Sequence, residues 1–152
     1  MDKQEVLESW GRLMKELDEI KNMDESLILI GDFNRAVGAG EQGVPGDHKH
    51  VSYGGQLVRE LLADKEYILV NSIQEAERGP WTWTSRANDK LKSCLDLVIV
   101  SADILPYISS LEVDVRMEHK MFRVRKGTDR LKMIPSDHLP LILRLKNMPT
   151  RR

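Results

Sequence analysis

Leu27-Ile28-Leu29-Ile30-Gly31-Asp32-Phe33-Asn34 is an apolar run that ends in an acid and an amide. Four consecutive aliphatic residues read as a buried strand, and the motif that follows lies at the strand's end, where a loop can present polar groups to a ligand. If the chain stays extended, Asp32 and Asn34 project to one side while Phe33 turns back into the core, because residues two apart share a face. Both residue types also make turns, so a simple turn after the strand is the competing reading.

Two further sites of the same kind lie downstream. Leu95 to Val100 is a second apolar run with Asp96 near its start, and its unbroken Leu/Val/Ile character implies burial on both faces. An acid set into such a strand needs a partner, because an unpaired buried carboxylate is costly. Ser136-Asp137-His138 precedes a third run, Leu139 to Leu145. Taken alone, Asp137 reads as a strand-end cap and His138 as a satisfied surface histidine. Taken in order, Asp/Asn, Asp and Asp/His at three strand edges make up half of a metal-assisted hydrolytic centre.

Around these runs the pattern alternates helix and strand. Val6, Leu7, Trp10, Leu13, Met14, Leu17 and Ile20 recur at helical spacing and predict an amphipathic helix ending near Asn22. Val37 to Tyr53 is rich in glycine and proline and reads as a loop. A shorter helix follows, with Leu57, Val58, Leu61 and Leu62 facing inward. Tyr67 to Asn71 and Trp81 to Thr84 read as short strands, and Pro106 limits Ala102 to Ile108 to a turn of helix. Leu111 to Val115 alternates as a half-exposed strand should.

The GDFN motif, then Ser93-Cys94-Leu95-Asp96 leading into an apolar strand, then Ser136-Asp137-His138 resemble the endonuclease/exonuclease/phosphatase superfamily in order and separation. Gly79-Pro80-Trp81-Thr82-Trp83-Thr84-Ser85 is similar to the tryptophan-threonine stretch of the apurinic-type endonuclease domains of non-LTR retroelements. The resemblance implies an α/β (α+β) fold, the C-terminal part of a four-layer sandwich in which β-sheets are flanked by helices. Family members place a metal-binding glutamate, an upstream asparagine or aspartate and a mid-domain tyrosine or histidine ahead of the helix that leads into GDFN. This chain begins inside that helix, so residues 1–152 are expected to form a single partial domain. A partner supplying the N-terminal half-domain, or self-association, is expected to cover the sheet edges left open.

By the same resemblance the reaction is in-line attack of water on a phosphodiester, in a DNA endonuclease of a retroelement or a gene derived from one. Asp32 is the base that takes or orients the water proton, and Asn34 holds that carboxylate or a phosphate oxygen. His138 donates to a non-bridging oxygen while Asp96 fixes its tautomer. Asp137, with Asp32, holds Mg2+, with Mn2+ as the alternative. A catalytically inert remnant acting as a binding or structural module, and a same-fold phosphodiesterase or phosphatase on another substrate, are the alternatives.

Arg116 to Lys132 reads as a basic loop leading into Ser136-Asp137-His138. There Lys120, Arg123, Arg125, Lys126 and Arg130 would meet a phosphate backbone, of DNA before RNA. Trp83 would stack on a sugar or base, with a place in the core as its alternative. The formal net charge of -1 means that such attraction must come from local clustering. The single cysteine, Cys94, excludes an intramolecular disulfide and suits a reducing compartment, so an intracellular location, nucleus or cytoplasm, is expected, with no membrane association. Gly38-Ala39-Gly40-Glu41-Gln42-Gly43 spells a dinucleotide-binding glycine pattern, but Val44-Pro45-Gly46 follows where a helix should open. His48 and His50 form a spaced pair with no cysteine nearby, which argues against a zinc site.

Overall fold

The computed structural model describes residues 2–40, 43–73, 81–88, 90–116, 122–126 and 131–149, with backbone alone for 122–126 and 131–135. Helix α1 (Lys3–Asn22) opens with the Asp2 backbone N–H donating to the Glu5 side chain at 3.2 Å, which satisfies a terminal donor. Its apolar stripe buries Leu17 and packs Trp10, Leu13, Met14 and Ile20 against Leu27 and Leu61. Helix α2 (Tyr53–Lys65) is capped by Ser52, whose Oγ accepts the Gly55 N–H at 3.0 Å, and ends at Glu66 in the left-handed region. An ion pair between Lys65 and Asp18 joins the two helices.

The central sheet is antiparallel, with β1 (Ile28–Asp32) and β2 (Ile68–Leu69) on either side of β5 (Asp96–Val100). Alternate residues of β5 fill different cores, as a two-sided strand requires. Leu97 and Ile99 pack with Val37, Val58, Leu69 and Cys94 on the helical side. Val98 and Val100 pack with Val70 and Ile104 on the other side. That second face is covered by Ile108, Leu111 and Leu143 from the pair formed by β6 (Ile108–Val113) and β9 (Leu141–Leu145). A helix layer, a sheet and a second sheet are thus stacked, the mixed α+β arrangement expected. Ile28 and Ile30 stand opposite Val100 and Val98 in register yet remain 36% and 49% exposed, so the cover over this face stops short of β1.

Two expectations are corrected. Tyr67 to Asn71 holds only two strand residues before the chain turns into a 3₁₀ segment over Val70–Ser72. The Asn71 side chain, rather than its backbone, meets β5 from there. The segment Arg116 to Lys132 is not simply a loop, because β7 (Phe122–Lys126) pairs antiparallel with β8 (Leu131–Pro135). A concentration of Arg and Lys hid the strand because charge says little about pairing when a hairpin closes on itself. Within the short strand expected over Trp81 to Thr84, β3 (Trp83–Thr84) pairs with β4 (Lys92–Ser93), a strand not anticipated, and the tryptophan-threonine stretch comes alongside the start of β5.

Cys94 is fully buried between β4 and β5. Burial, with the negative charges of Asp47 and Asp96 beside it, pushes its thiol up to about 12. Against a free thiol near ~8.5, that leaves roughly a thousand-fold less thiolate at mildly alkaline pH. Native protein is therefore expected to resist iodoacetamide at pH 8 and to be labelled on denaturant unfolding; rapid labelling of the folded chain would contradict this packing.

Candidate active site

The register of β1 on β5 sets Asp32 directly opposite Asp96 at the end of the ladder. Phe33 N–H continues the pairing by donating to the Leu95 carbonyl at 3.0 Å, and its ring packs into the helical-side core. Like charges directly opposed across strands are destabilising, so this end of the sheet calls for a donor between them. His138 supplies it. Its Nδ1 lies 2.8 Å from Asp96 Oδ2, and its Nε2 lies 3.8 Å from Asp32 Oδ2. One ligand-type atom from each of Asp32, Asp96 and His138 falls within 4.8 Å of the other two. The side chains of His138 and Asp96 are 13% and 16% exposed, against 46% for Asp32. The pair is thus sheltered while the Asp32 carboxylate opens to solvent.

His138 is held there by backbone pairing. Trp83 and His138 form an antiparallel bridge, Thr84 N–H donates to the Asp137 carbonyl at 3.2 Å, and Leu139 N–H donates to the Thr82 carbonyl at 2.6 Å. Ser136 Oγ accepts the His138 N–H at 3.1 Å and turns the segment. Asp137 points elsewhere. Its Oδ2 accepts from Trp83 Nε1 at 3.2 Å, and Arg86 Nη2 stands 3.9 Å from its Oδ1. The carboxylate grouped most closely with Asp32 is therefore that of Asp96, and Asp137 lies outside the group of three.

Asn34 departs from the extended geometry expected of it. Its backbone sits at φ 48°, and its N–H donates to Asp32 Oδ1 at 2.7 Å. The motif is a turn closed by its own acid, so both readings of Asp32-Phe33-Asn34 hold in part. Asp32 is aimed by that backbone donor. The chain beyond is tied to α2, where Ser52 N–H donates to the Ala36 carbonyl at 2.9 Å. A Cβ on Gly55 would stand 1.9 Å from that same oxygen, so only glycine permits the approach.

Trp83 is half-buried, and its indole N–H is committed to Asp137, a role that its place beside Trp81 in the sequence did not suggest. Lys120 and Arg130 lie outside the described residues, and Arg123, Arg125 and Lys126 fall on β7, where backbone alone is described. Arg86, whose side chain is 50% exposed beside Asp137, is a cation at the site that sequence reading missed. A lone Arg in a turn carries no local signal.

The glycine-rich segment opens no helix among the described residues, since α2 begins at Tyr53. His48 Nε2 lies 3.0 Å from Ser93 Oγ, and the His48 and His50 rings stand 6.0 Å apart. Neighbouring Asp47 is buried, which raises its pKa despite backbone donors from His48 and Cys94. These residues form no cluster of three ligands among the described residues.

The Asn34 turn yields a test that separates backbone from side chain. Asn34→Gly is expected to keep wild-type stability in urea, whereas Asn34→Ala loses about 1 kcal/mol, because alanine has a Cβ but lacks the short polar side chain that lets asparagine tolerate the left-handed region. Equal stability of the two variants would refute the strained turn.

No curated protein matches the chain at a significant level. A family model for the Endonuclease/Exonuclease/phosphatase family matches residues 4–138. That match takes in the helix ahead of Asp32, the strand begun by Asp96, and the histidine that Asp96 holds. The chain belongs to the Endonuclease/Exonuclease/phosphatase family, whose chemistry is hydrolysis of the nuclease, phosphodiesterase and phosphatase type.

Proposed function

We propose that the chain cleaves phosphodiester bonds in nucleic acid, DNA before RNA, as the endonuclease of a retroelement or of a gene derived from one. The observation that carries the hydrolytic part is the Asp96–His138 pair at 2.8 Å with Asp32 beside it. The retroelement part rests on Trp81-Thr82-Trp83-Thr84, which runs beside the histidine segment. The basic positions around β7 support a polyanionic substrate.

Asp32, held by the Asn34 N–H, accepts a proton as water attacks phosphorus. The water oxygen forms the new P–O bond, the bond to the leaving oxygen breaks, and that oxygen takes a proton from solvent. Asp96 fixes the His138 ring through Nδ1, so Nε2 faces the side where Asp32 stands. From there a protonated His138 donates to a non-bridging oxygen as charge builds. The carboxylates of Asp32 and Asp96, each with an oxygen within 4.8 Å of the imidazole, suit a hard divalent cation beside the histidine. Asp32 would hold Mg2+, or Mn2+, with the carboxylate of Asp96 next to it, and the ion would supply charge stabilisation at the phosphate. Asp137, expected from sequence to share this role, is engaged by Trp83 Nε1 outside that group. Asn34 would contact a phosphate oxygen through its exposed amide.

Purified chain is expected to nick supercoiled plasmid in Mg2+ and to stop in chelator. Asp32→Ala and His138→Ala should each lower the rate by about 10²–10⁴-fold. Equal nicking by all preparations, or none by any, would replace this reading with that of an inert binding module.

A further inference from the structure

Among the described residues β5 has a full neighbour on one side only. Phe33 N–H bonds to Leu95 and Ser101 N–H bonds to Leu27, so the odd-numbered residues of β5 exchange backbone bonds with β1. The even-numbered residues turn their N–H and C=O groups the other way. There β2 pairs only Ile68 with Val100 and Leu69 with Ile99. Beyond that point the main chain has left in a 3₁₀ turn, and among the described residues no strand lies on this side of Asp96 and Val98.

Two buried side chains fill the gap. Asn71 Oδ1 accepts the Val98 N–H at 2.8 Å, and its Nδ2 donates to the Asp96 carbonyl at 3.2 Å. One carboxamide thereby makes the two bonds that a strand peptide would have made. Thr82, fully buried, takes the Leu95 and Asp96 N–H groups on its Oγ1, each at 3.0 Å. Its carbonyl accepts from Leu139, the residue after His138, and its N–H donates to Ser93 at 3.2 Å. The backbones of Asp96 and of the His138 segment are therefore gripped by a single residue.

We propose that Thr82 and Asn71 are positioning residues for the Asp96–His138 pair, side-chain substitutes for a missing strand that fix the aspartate's backbone against the histidine. The proposal rests on reading that pair as part of the catalytic machinery. Neither residue reaches the open face where Asp32 stands. They act through backbone alignment, and an error of about 1 Å in such a site costs up to about 100-fold in rate.

The test is proton NMR of the whole chain in water, following the low-field imidazole N–H resonance of His138 and assigning it by its loss in His138→Gln. Wild type and Thr82→Ser, which keeps the hydroxyl, should show the resonance. Thr82→Val removes the acceptor and Asn71→Asp removes the donor. Each of these that retains native amide dispersion should lose the resonance, and its nicking rate should fall about tenfold or more with KM unchanged. Retention in either folded variant, absence from wild type, or unfolding of both Thr82→Val and Asn71→Asp would overturn the proposal. The resonance needs no turnover, so a wild type that shows it yet leaves plasmid intact would refute the functional reading alone.

Discussion

Asp32 and Asp96 occupy directly opposed positions where β1 meets β5, so two like charges stand side by side at the edge of an apolar sheet. Placing them there is unfavourable unless a donor intervenes. The imidazole of His138 stands between them, 2.8 Å from one and 3.8 Å from the other. The histidine comes from a distant part of the chain, so the last segment must close back on the sheet for the site to exist. The bridge between Trp83 and His138 is where it does so.

Packing behind the pair makes the placement rigid. β5 is buried on both faces, with helices over Leu97 and Ile99 and the β6–β9 pair beside Val98 and Val100. A strand so enclosed has little freedom to shift register, because a slip of one residue would exchange its two cores. Asp96 at its mouth inherits that rigidity. Asp32 lies on a strand with a far more open surface, and its aim depends on the local turn made with Asn34. The two carboxylates thus differ in kind: one is locked to the histidine, and the other is open to water and to a cation.

The long helix, the strand ahead of Asp32 and the doubly buried strand after Asp96 were legible because apolar spacing announces them. That Asp96 must find a partner was legible too, because an acid in an apolar strand needs one; that the partner is His138 followed from the family resemblance. The left-handed backbone of Asn34 was not, since Asn serves extended and turn conformations alike. Nor was the hairpin of β7 and β8, whose pairing depends on closure rather than on an apolar face. Asn71 gave a faint signal as a polar residue ending Ile68-Leu69-Val70. Thr82 gave none, because its importance lies in bonds to Leu95 and Asp96, 13 and 14 residues away, and to the more distant Leu139.

Among the described residues no helix is long and apolar enough to cross a membrane, and the exposed face of β1 with Ile28 and Ile30 stays open to a neighbour. The central claim concerns the other end of that strand, where the acids and the histidine should gather a divalent ion. Titrating 15N-labelled chain with Mn2+ and following paramagnetic broadening tests it most directly. The account predicts that amides at Asp32, Asp96, Asp137 and His138 broaden first, at substoichiometric ion. First broadening around Asp47, His48 and His50 instead, or broadening with no preferred centre, would contradict it.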